Sequence, residues 1–530
     1  MGRAVLFIVL SILISCKGGG GGSSGGGSTP PPEPTYRVTG SLSYDFVPAT
    51  SSGLNYAGTV QRPMRNIYLE AVQFGTDEVV ASTSTDDNGD FTLDVPQDVN
   101  VMRIEITAKM VSPSVVIEDN TDDNAEYVAV SNDVTITGDV ALGNLNAPSG
   151  WSGSNAGGSY SSTRVSAPFA ILDSIYSAIK KIRTTRPSIN FPALKVNWSV
   201  NNLPSSGDNE LGQIGTSHYD GSELYILGKA DVDTDEFDRH VIVHEWGHFF
   251  EGKLSRSDSP GGAHYIGDIV DRSLSFGEAW GNALSGIVFD PDYTYRDSSG
   301  ARQQIQGIGF SLESSTDSTP GWFSETSIQE ILFDVYDSYS DANDGVNLGV
   351  GPIIDVMTNY QKTTAAATSI YSFMHGLKIG NPAYINELNT LTNGKSITSV
   401  WDAYGTGETN DGGFPATLPL YHSLTIGGSA VATELEGGST RMNEAANNRY
   451  FRFTATSSST RLDWTSSDTY LLGVVKNGSV IFDYAEQATD ANPLTGSKIL
   501  ATTAGQEYIV QVMTHPDYLY NTTLPVEFEI

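Results

Sequence analysis

The chain has 530 residues, of which 39% are hydrophobic, so it is long enough for about two to four soluble globular domains. Lysine and arginine number 29 against 62 aspartates and glutamates, which gives a net charge of -33 and a pI near 4.4. Such an anionic surface repels phosphate backbones and therefore excludes nucleic acid as an expected partner.

The N-terminus has the pattern of a secretion signal. After Arg3, an apolar run from residue 4 to 14 is too short to span a bilayer but has the length of a signal-peptide core. With the only cysteine, Cys16, residues 1–16 resemble a bacterial lipoprotein signal. The alternative is an ordinary secretory signal with an incidental cysteine. The resemblance implies lipidation at Cys16 and an extracytoplasmic protein anchored to a bacterial membrane, at the outer membrane or cell surface.

Residues 17–35 are rich in glycine and serine and then in proline, which predicts a flexible tether that stiffens toward its end. If Cys16 carries lipid, no disulfide can form, so stability must come from apolar cores or bound metals.

Residues 36–145 show short alternating strands and no helical period, which predicts an all-β sandwich. The run "TDDNGDF" resembles one common in carboxypeptidase-regulatory-like sandwich domains. Asn88-Gly89 predicts a hairpin turn. Calcium binding by Asp86, Asn88 and Asp90 is the alternative, although the run lacks the sixth-position glycine and the distal glutamate of an EF-hand.

Residues 160–422 have mixed character. Helical spacing over residues 167–182 and the strand-like runs "FPALKVNWSV" and "SELYILG" predict an α+β domain. The segment "TDEFDRHVIVHEWGHFFEG" predicts a helix capped at Thr234 or Asp235 and ended by Gly252. Further helices are expected in "FGEAWGNALSGIVF", "TSIQEILFDVYDSY" and "VGPIIDVMTNYQ".

The run "RHVIVHEWGHFFEG" contains three of the chain's eight histidines. Residues four apart lie on one helical face, so His244 and His248 can place two imidazole nitrogens on one zinc ion. Glu245 lies about 100° around the helix, beside the metal, where a carboxylate can take a proton from water. His240 would form a rival pair with His244, but Val241 cannot act as a base, so His240 is interpreted as a packing residue.

A catalytic zinc needs a third protein ligand and an open position. Leu254 stands where a metzincin would have its third histidine, which excludes that class. Glu278, thirty residues after His248, is the best candidate, and Asp268 and Asp271 are competitors. Asn282 is expected on the face of Glu278, where its amide can orient a zinc-bound histidine.

With Glu278 in "GEAWGN", the HExxH run resembles the gluzincin group of zinc metallopeptidases, which includes thermolysin. The resemblance covers residues 165 to 420, but its specific motifs occupy only residues 244 to 282. It implies hydrolysis of a protein or peptide substrate, with zinc polarising water and Glu245 as general base. The absence of an obvious second carboxylate for a free amino terminus favours an endopeptidase.

The resemblance also implies an edge strand for substrate pairing and a donor for the developing oxyanion. "ELYILG", residues 223–228, resembles the edge strand. The oxyanion candidates are Tyr265, Tyr371, His375 and, as first choice, His264, which follows two glycines in the loop near the metal.

Residues 423–530 return to short strands and resemble pre-peptidase C-terminal domains, which implies a β-sandwich for binding or stabilisation. The expected architecture is therefore multidomain, with a zincin-like α+β domain flanked by two all-β sandwiches. Two non-enzymatic alternatives stay open. One is a binding lipoprotein whose degenerate peptidase domain holds zinc without turnover, and the other is a surface adhesin in which the sandwiches bind the ligand.

Overall fold

A computed structural model describes residues 34–314, 317–339, 345–435, 443–466, 470–476, 479–482, 494–514 and 524–530. The predicted signal and Cys16 lie outside the described residues, as does the tether up to residue 33. Within the described ranges, no helix combines the length and the apolar character needed to cross a membrane.

The N-terminal section begins with a four-stranded sheet. Its central strand is Thr35–Phe46, which pairs antiparallel with Asp90–Pro96 and Val60–Pro63 and parallel with Val140–Ala147. Alternate side chains of Asp90–Pro96 are buried, as expected of a strand with one face against a core.

A second, larger sheet crosses the boundary predicted between residues 145 and 160. Val115–Asp119 from the N-terminal section pairs in parallel with Leu194–Trp198 from the middle section. One apolar core also runs through both sections, from Val38 to Ile242 and beyond. The predicted N-terminal sandwich and the middle domain therefore share a sheet and a core. The main strands of this larger sheet lie in the order His218–Tyr219, Leu224–Ile226, Leu194–Trp198, Val115–Asp119, Val101–Met110, Ile67–Gln73 and Val79–Ser84.

The turn at Asn88-Gly89 forms, but the hairpin prediction is wrong. The preceding strand, Val79–Ser84, belongs to the large sheet, whereas the following strand, Asp90–Pro96, belongs to the four-stranded sheet. The Asp86 carboxylate accepts hydrogen bonds from the backbone N–H groups of Asn88 at 2.8 Å and of Asp90 at 2.9 Å. The turn thus carries the chain between two sheets.

The helices follow the apolar periods of the sequence, with shifted ends. The helix that the sequence predicts to carry the active site, here called the active-site helix, is Arg239–Leu254. It begins at Asp238, later than the predicted Thr234 or Asp235, and continues two residues beyond Gly252. Residues Asp233–Thr234 are a short strand instead. The other α-helices are Ala167–Arg183, Arg272–Phe289, Glu325–Tyr336, Val350–Asp355, Ile370–Gly380 and Ile385–Gly394, with a π-helical turn at Val356–Gln361.

The active-site helix and the second helix, Arg272–Phe289, cross at two glycines. A Cβ atom on Gly247 would lie 3.0 Å from the Cα atom of Gly281, so any larger residue would push the two helices apart by a few tenths of an ångström. The Trp280 indole donates a hydrogen bond to the Gly247 carbonyl at 3.0 Å. The close crossing brings the two predicted ligand-bearing segments face to face.

The C-terminal section is a two-layer β-sandwich with its own apolar core, in agreement with the prediction for residues 423–530. One sheet has the order His422–Ser423, Asn448–Thr454, Glu507–Thr514, Tyr470–Lys476 and Ser479–Phe482. The other has the order Val431–Leu435, Leu524–Glu529, Ser459–Ser466 and Leu494–Ala501. The chain is therefore a mixed α/β protein with a β-sandwich at its C-terminal end.

Candidate metal centre

Three side chains from the two crossed helices converge on one point. His244, His248 and Glu278 each offer a ligand atom within 4.8 Å of the others. The Nε2 atoms of His244 and His248 are 3.1 Å apart, and the Glu278 Oε2 atom lies 3.2 Å from the former and 3.4 Å from the latter. The two imidazoles and the distant carboxylate expected from the sequence are thus brought together.

These distances fit a tetrahedral zinc site. With zinc–ligand bonds of about 2.0–2.1 Å, two ligand atoms at a tetrahedral angle lie about 3.3–3.4 Å apart. The three observed separations are close to this value, and a set of two imidazoles and one carboxylate is the ligand set of many catalytic zinc sites. The residues present therefore fit the metal that the sequence implies.

Asn282 fixes the orientation of the His244 ring. The Asn282 side-chain amide donates to Gln329 Oε1 at 2.8 Å, so its oxygen, Oδ1, faces His244 Nδ1 at 2.8 Å. A carbonyl oxygen can only accept, which means that His244 carries its proton on Nδ1 and presents the lone pair of Nε2 to the ligand cluster. The predicted role of Asn282 beside the metal ligands agrees with this geometry.

The electrostatic environment keeps Glu278 in its anionic form. Burial alone would raise its pKa, but the charge of His248 and the hydrogen bonds from His248 and His264 hold the pKa of Glu278 well below its usual range. An ionised carboxylate is the form that binds a dication.

Glu245 is buried beside the ligands and is not itself one of them. Its Oε2 atom accepts a hydrogen bond from the backbone N–H of Tyr219 at 3.1 Å. Burial raises the pKa of Glu245 above its ordinary value, against the lowering effect of the neighbouring His244 and His248. A carboxylate with a raised pKa is a stronger proton acceptor than an exposed one.

The edge strand is not the one proposed from the sequence. Leu224–Ile226 is flanked by Leu194–Trp198 on one side and by His218–Tyr219 on the other, so it is an interior strand, and Gly228 belongs to a short strand of another sheet. The edge strand of this sheet is the antiparallel His218–Tyr219, which also contacts the active-site helix through the Tyr219 N–H. Its position was not evident from the sequence because a two-residue strand has no alternating pattern.

His264 is the oxyanion candidate that the structure brings to the metal centre. Its Nε2 atom is 3.3 Å from Glu278 Oε2 and 3.7 Å from Glu325 Oε2. Its Nδ1 atom lies 3.1 Å from the Gly262 carbonyl oxygen. Burial lowers the pKa of His264, but the hydrogen bond with Glu278 raises it to about 9. In the metal-free centre both ring nitrogens are therefore donors at neutral pH.

The remaining oxyanion candidates make other contacts. Tyr265 is 72% exposed. The Tyr371 hydroxyl is buried and donates to Glu408 at 2.9 Å, and the His375 ring bonds the Tyr360 hydroxyl at 2.5 Å. None of the three is part of a metal-capable group among the described residues.

Asp268 and Asp271, the competing candidates for the third ligand, and His240 make other contacts. Asp271 caps the second helix by accepting the Ser273 N–H at 2.8 Å, and Asp268 accepts the Tyr265 N–H at 2.6 Å. His240 is buried with its ring 5.3 Å from that of Phe289, in agreement with a packing role. The structure groups Glu278, and neither of these aspartates, with the two histidines.

Two residues of the site were missed by the sequence reasoning, although a signal for them was present. Glu325 and Gln329 lie four residues apart on the helix Glu325–Tyr336, so they share a face, and both are buried. Glu325 faces His264, and Gln329 holds Asn282. Two polar residues at helical spacing were the available indication, but the helix also contains Glu330 and Asp334, so the signal was not specific.

The loop that carries His264 is held by the C-terminal sandwich. The Asn443 side-chain amide donates to the Ala263 carbonyl at 2.9 Å, and the Asp271 backbone N–H donates to the Asn443 carbonyl at 2.8 Å. The Tyr450 hydroxyl also donates to the Asp271 carboxylate at 2.8 Å. These long-range contacts connect the sandwich to the middle and to the C-terminal end of the loop.

Comparison with known proteins leaves the family open. No protein-family model matches the chain, and no curated protein matches it. The pre-peptidase C-terminal domain of a Bacillus anthracis collagenase is similar at 11% identity, over 21% of this chain and 92% of that chain, with a TM-score of 0.15. PliG, a periplasmic lysozyme inhibitor from Aeromonas hydrophila, is similar at 11% identity over 21% and 96%, with a TM-score of 0.14.

A 9R-lipoxygenase from Cyanothece is similar at 12% identity, over 68% of this chain and 55% of that chain, with a TM-score of 0.15. TM-scores this low define neither a shared fold nor a shared function. The chemistry of the site therefore has to be argued from its own residues.

Proposed function

We propose that this chain is a zinc-dependent peptidase of gluzincin type, with a zincin-like arrangement in its middle domain and Glu245 as general base. The observation that carries the proposal is the convergence of His244, His248 and Glu278 at tetrahedral ligand spacing, with Glu245 buried beside them. A structural zinc site has four protein ligands, whereas these three leave the fourth position for water, beside which a buried carboxylate can act as a base.

Each protein group has a defined task in peptide hydrolysis. His244, His248 and Glu278 hold the metal, and Asn282 keeps the His244 ring in the tautomer that exposes its Nε2 lone pair. Zinc, when bound, supplies Lewis acidity toward water and the substrate carbonyl. Glu245 accepts the proton of the attacking water on its carboxylate and delivers it to the leaving amine.

His264 is proposed to stabilise the charge that develops on the substrate carbonyl oxygen. Its Nε2 atom lies 3.3 Å from Glu278 Oε2 at the metal centre, so an Nε2–H group is placed where it can donate to a substrate oxygen. A fixed donor at this place acts on the charged transition state more strongly than on the neutral carbonyl.

The substrate is proposed to pair along His218–Tyr219, the antiparallel strand next to the active-site helix. The Tyr219 N–H contacts Glu245, so a peptide beside this strand would have its backbone near the general base. We retain an endopeptidase as the proposed mode. The sequence showed no second carboxylate that could bind a free amino terminus, but the structure does show one. Glu325 lies next to His264 at the metal centre.

The proposal is tested by zinc analysis and a peptide-library digest of the wild type and Glu245→Gln. The wild type should cleave peptides, and its activity should be lost with chelator and restored by zinc. The variant should keep its zinc and lose cleavage, because only the proton acceptor has been removed. Equal cleavage by both proteins, or by neither at full zinc occupancy, would contradict the assignment.

A second function would follow if His264 moved onto the metal. Its Nε2 atom is at ligand spacing, 3.3 Å, from Glu278 Oε2, although its metal-capable group is the one with Glu278 and Glu325 and not the one with His244 and His248. The chain would then be a binding lipoprotein with a degenerate peptidase domain. In that case His264→Ala would lower zinc affinity, whereas in a peptidase it would lower kcat and leave zinc content unchanged.

The proposed location is outside the cytoplasm, with a lipid on Cys16 and the tether before residue 36 holding the folded part away from the membrane. Metabolic labelling with a fatty acid should mark the wild-type chain and leave Cys16→Ser unlabelled. Equal labelling of both would show that the lipid is attached elsewhere.

A further inference from the structure

Four aspartates are crowded at the start of the active-site helix, apart from the zinc ligands. Asp233, Asp235 and Asp238 lie in the segment that leads into the helix, and Asp297 lies in the neighbouring strand. One carboxylate oxygen from each of Asp233, Asp235 and Asp297 is within 4.8 Å of the other two. Nothing in the proposed peptidase chemistry uses these groups.

All four carboxylates have a buried oxygen, Oδ1, without a hydrogen-bond partner. Asp235 is only 3% exposed and Asp238 is fully buried. Their other oxygens are held by the protein, because Ser217 donates its hydroxyl to Asp235, and Ser298 donates its N–H at 2.9 Å and its hydroxyl at 2.6 Å to Asp238. The carboxylates are thus fixed in place while an oxygen of each remains open to a ligand.

No protein cation balances this charge within the part of the chain that the structure describes. Burial, and then the charge of Asp297, raises the pKa of Asp233 to about 7, and burial raises the pKa of Asp297 to about 6. Burial and the surrounding aspartates raise the pKa of Asp235 well above its ordinary range. Unpaired buried carboxylates are costly, and a bound cation would remove that cost.

We propose that Asp233, Asp235 and Asp297 bind a calcium ion, with the Asp238 carboxylate next to it. The available donors are all oxygens, which hard cations prefer, whereas zinc favours nitrogen and sulfur. Calcium–oxygen bonds of about 2.3–2.6 Å allow two ligand oxygens to lie up to about 5 Å apart across the ion, in keeping with the observed cluster.

The ion joins elements that also position the active site. It connects the segment before the active-site helix with the strand Thr294–Ser299, which lies in a different part of the sequence. Ser217, the hydroxyl donor to Asp235, precedes Tyr219 by two residues, and Tyr219 donates to Glu245. The calcium site therefore stabilises both the start of the helix and the adjacent edge strand.

The test is calcium binding by the zinc-loaded full chain after dialysis into calcium-free buffer. Wild type should take up one calcium ion per chain in a saturable titration, and excess calcium should raise its melting temperature by about 2–4 °C. The variant Asp233→Asn/Asp297→Asn should lose both responses and keep its zinc. Asp123→Asn removes one exposed carboxylate and should behave like the wild type.

Absence of saturable calcium uptake by the wild type would overturn the proposal, as would uptake that persists in the double variant. If the double variant does not fold, Asp297→Asn alone replaces it, and the wild-type titration is decisive by itself. Zinc content and peptide cleavage are read separately, so failure of the calcium site is distinguishable from failure of the proposed peptidase function.

Discussion

Gly281 offers a test of the metal centre that changes neither a ligand nor the general base. A Cβ atom at this position would lie 2.8 Å from His244 Nδ1, 2.9 Å from Cγ and 3.0 Å from Cε1. Ordinary contacts begin at 3.4 Å, so in Gly281→Ala the imidazole must move by about 0.6 Å. Metal–ligand distances tolerate only about 0.2 Å, and the same movement would distort the hydrogen bond between His244 and Asn282.

We expect Gly281→Ala to weaken zinc binding by about 10–100-fold, which corresponds to about 1.4–2.7 kcal/mol. The helix itself should not suffer, because alanine is a better helix former than glycine by about 0.5–1 kcal/mol. Competition with a chromophoric zinc chelator measures the affinity, and a thermal melt of the metal-free protein measures the stability.

Gly380→Ala is the matched control, since a Cβ atom there meets no other atom within 4 Å. It should bind zinc as the wild type does. The reasoning would be refuted if Gly281→Ala also bound zinc with wild-type affinity while folded.

Four further predictions address the surroundings of the site. Asn443→Ala should increase proteolytic nicking of residues 255–271 and lower kcat without loss of zinc, because the Ala263 carbonyl loses its hydrogen-bond donor from the sandwich. Unchanged susceptibility of this loop to added protease would contradict this role of Asn443. Gln329→Leu should weaken zinc binding about 10-fold in chelator competition by freeing the Asn282 amide, and an unchanged affinity would refute the chain of contacts. Glu325→Gln should spare cleavage of acetylated peptides if the enzyme is an endopeptidase, whereas selective loss on peptides with a free amino terminus would indicate an aminopeptidase. Burial lowers the pKa of His240 to about 4 from an ordinary 6.5, so between these pH values the unfolded chain binds a proton that the folded chain does not. The free energy of unfolding should therefore fall by up to about 3 kcal/mol from pH 6.5 to 4. His240→Gln should flatten this pH dependence in urea titrations, and an equally steep curve would show that other groups cause it.

The ligands could be predicted from the sequence because their geometry is local. His244 and His248 share a face by helical spacing, and Glu278 and Asn282 do so on the next helix, so one crossing of two helices fixes the whole set. The crossing itself depends on Gly247 and Gly281, whose packing role cannot be recognised without a partner helix.

What the sequence did not predict depends on long-range pairing. The patterns of Val115–Asp119 and Leu194–Trp198 both predict strands. Neither segment indicates that the two pair with each other across the boundary between the N-terminal and middle sections. The two-residue edge strand His218–Tyr219 is defined by its neighbours and not by its own pattern. The aspartate cluster likewise joins Asp297 to residues about sixty positions earlier, which only the fold brings together.

The most direct measurement is an anomalous-difference map at the zinc edge from crystals of the zinc-loaded protein. We expect one strong peak between His244 Nε2, His248 Nε2 and Glu278 Oε2, with the fourth position open to solvent and Glu245 beside it. A peak enclosed by His264 as a fourth protein ligand, or a peak only at another group of residues, would contradict the peptidase assignment.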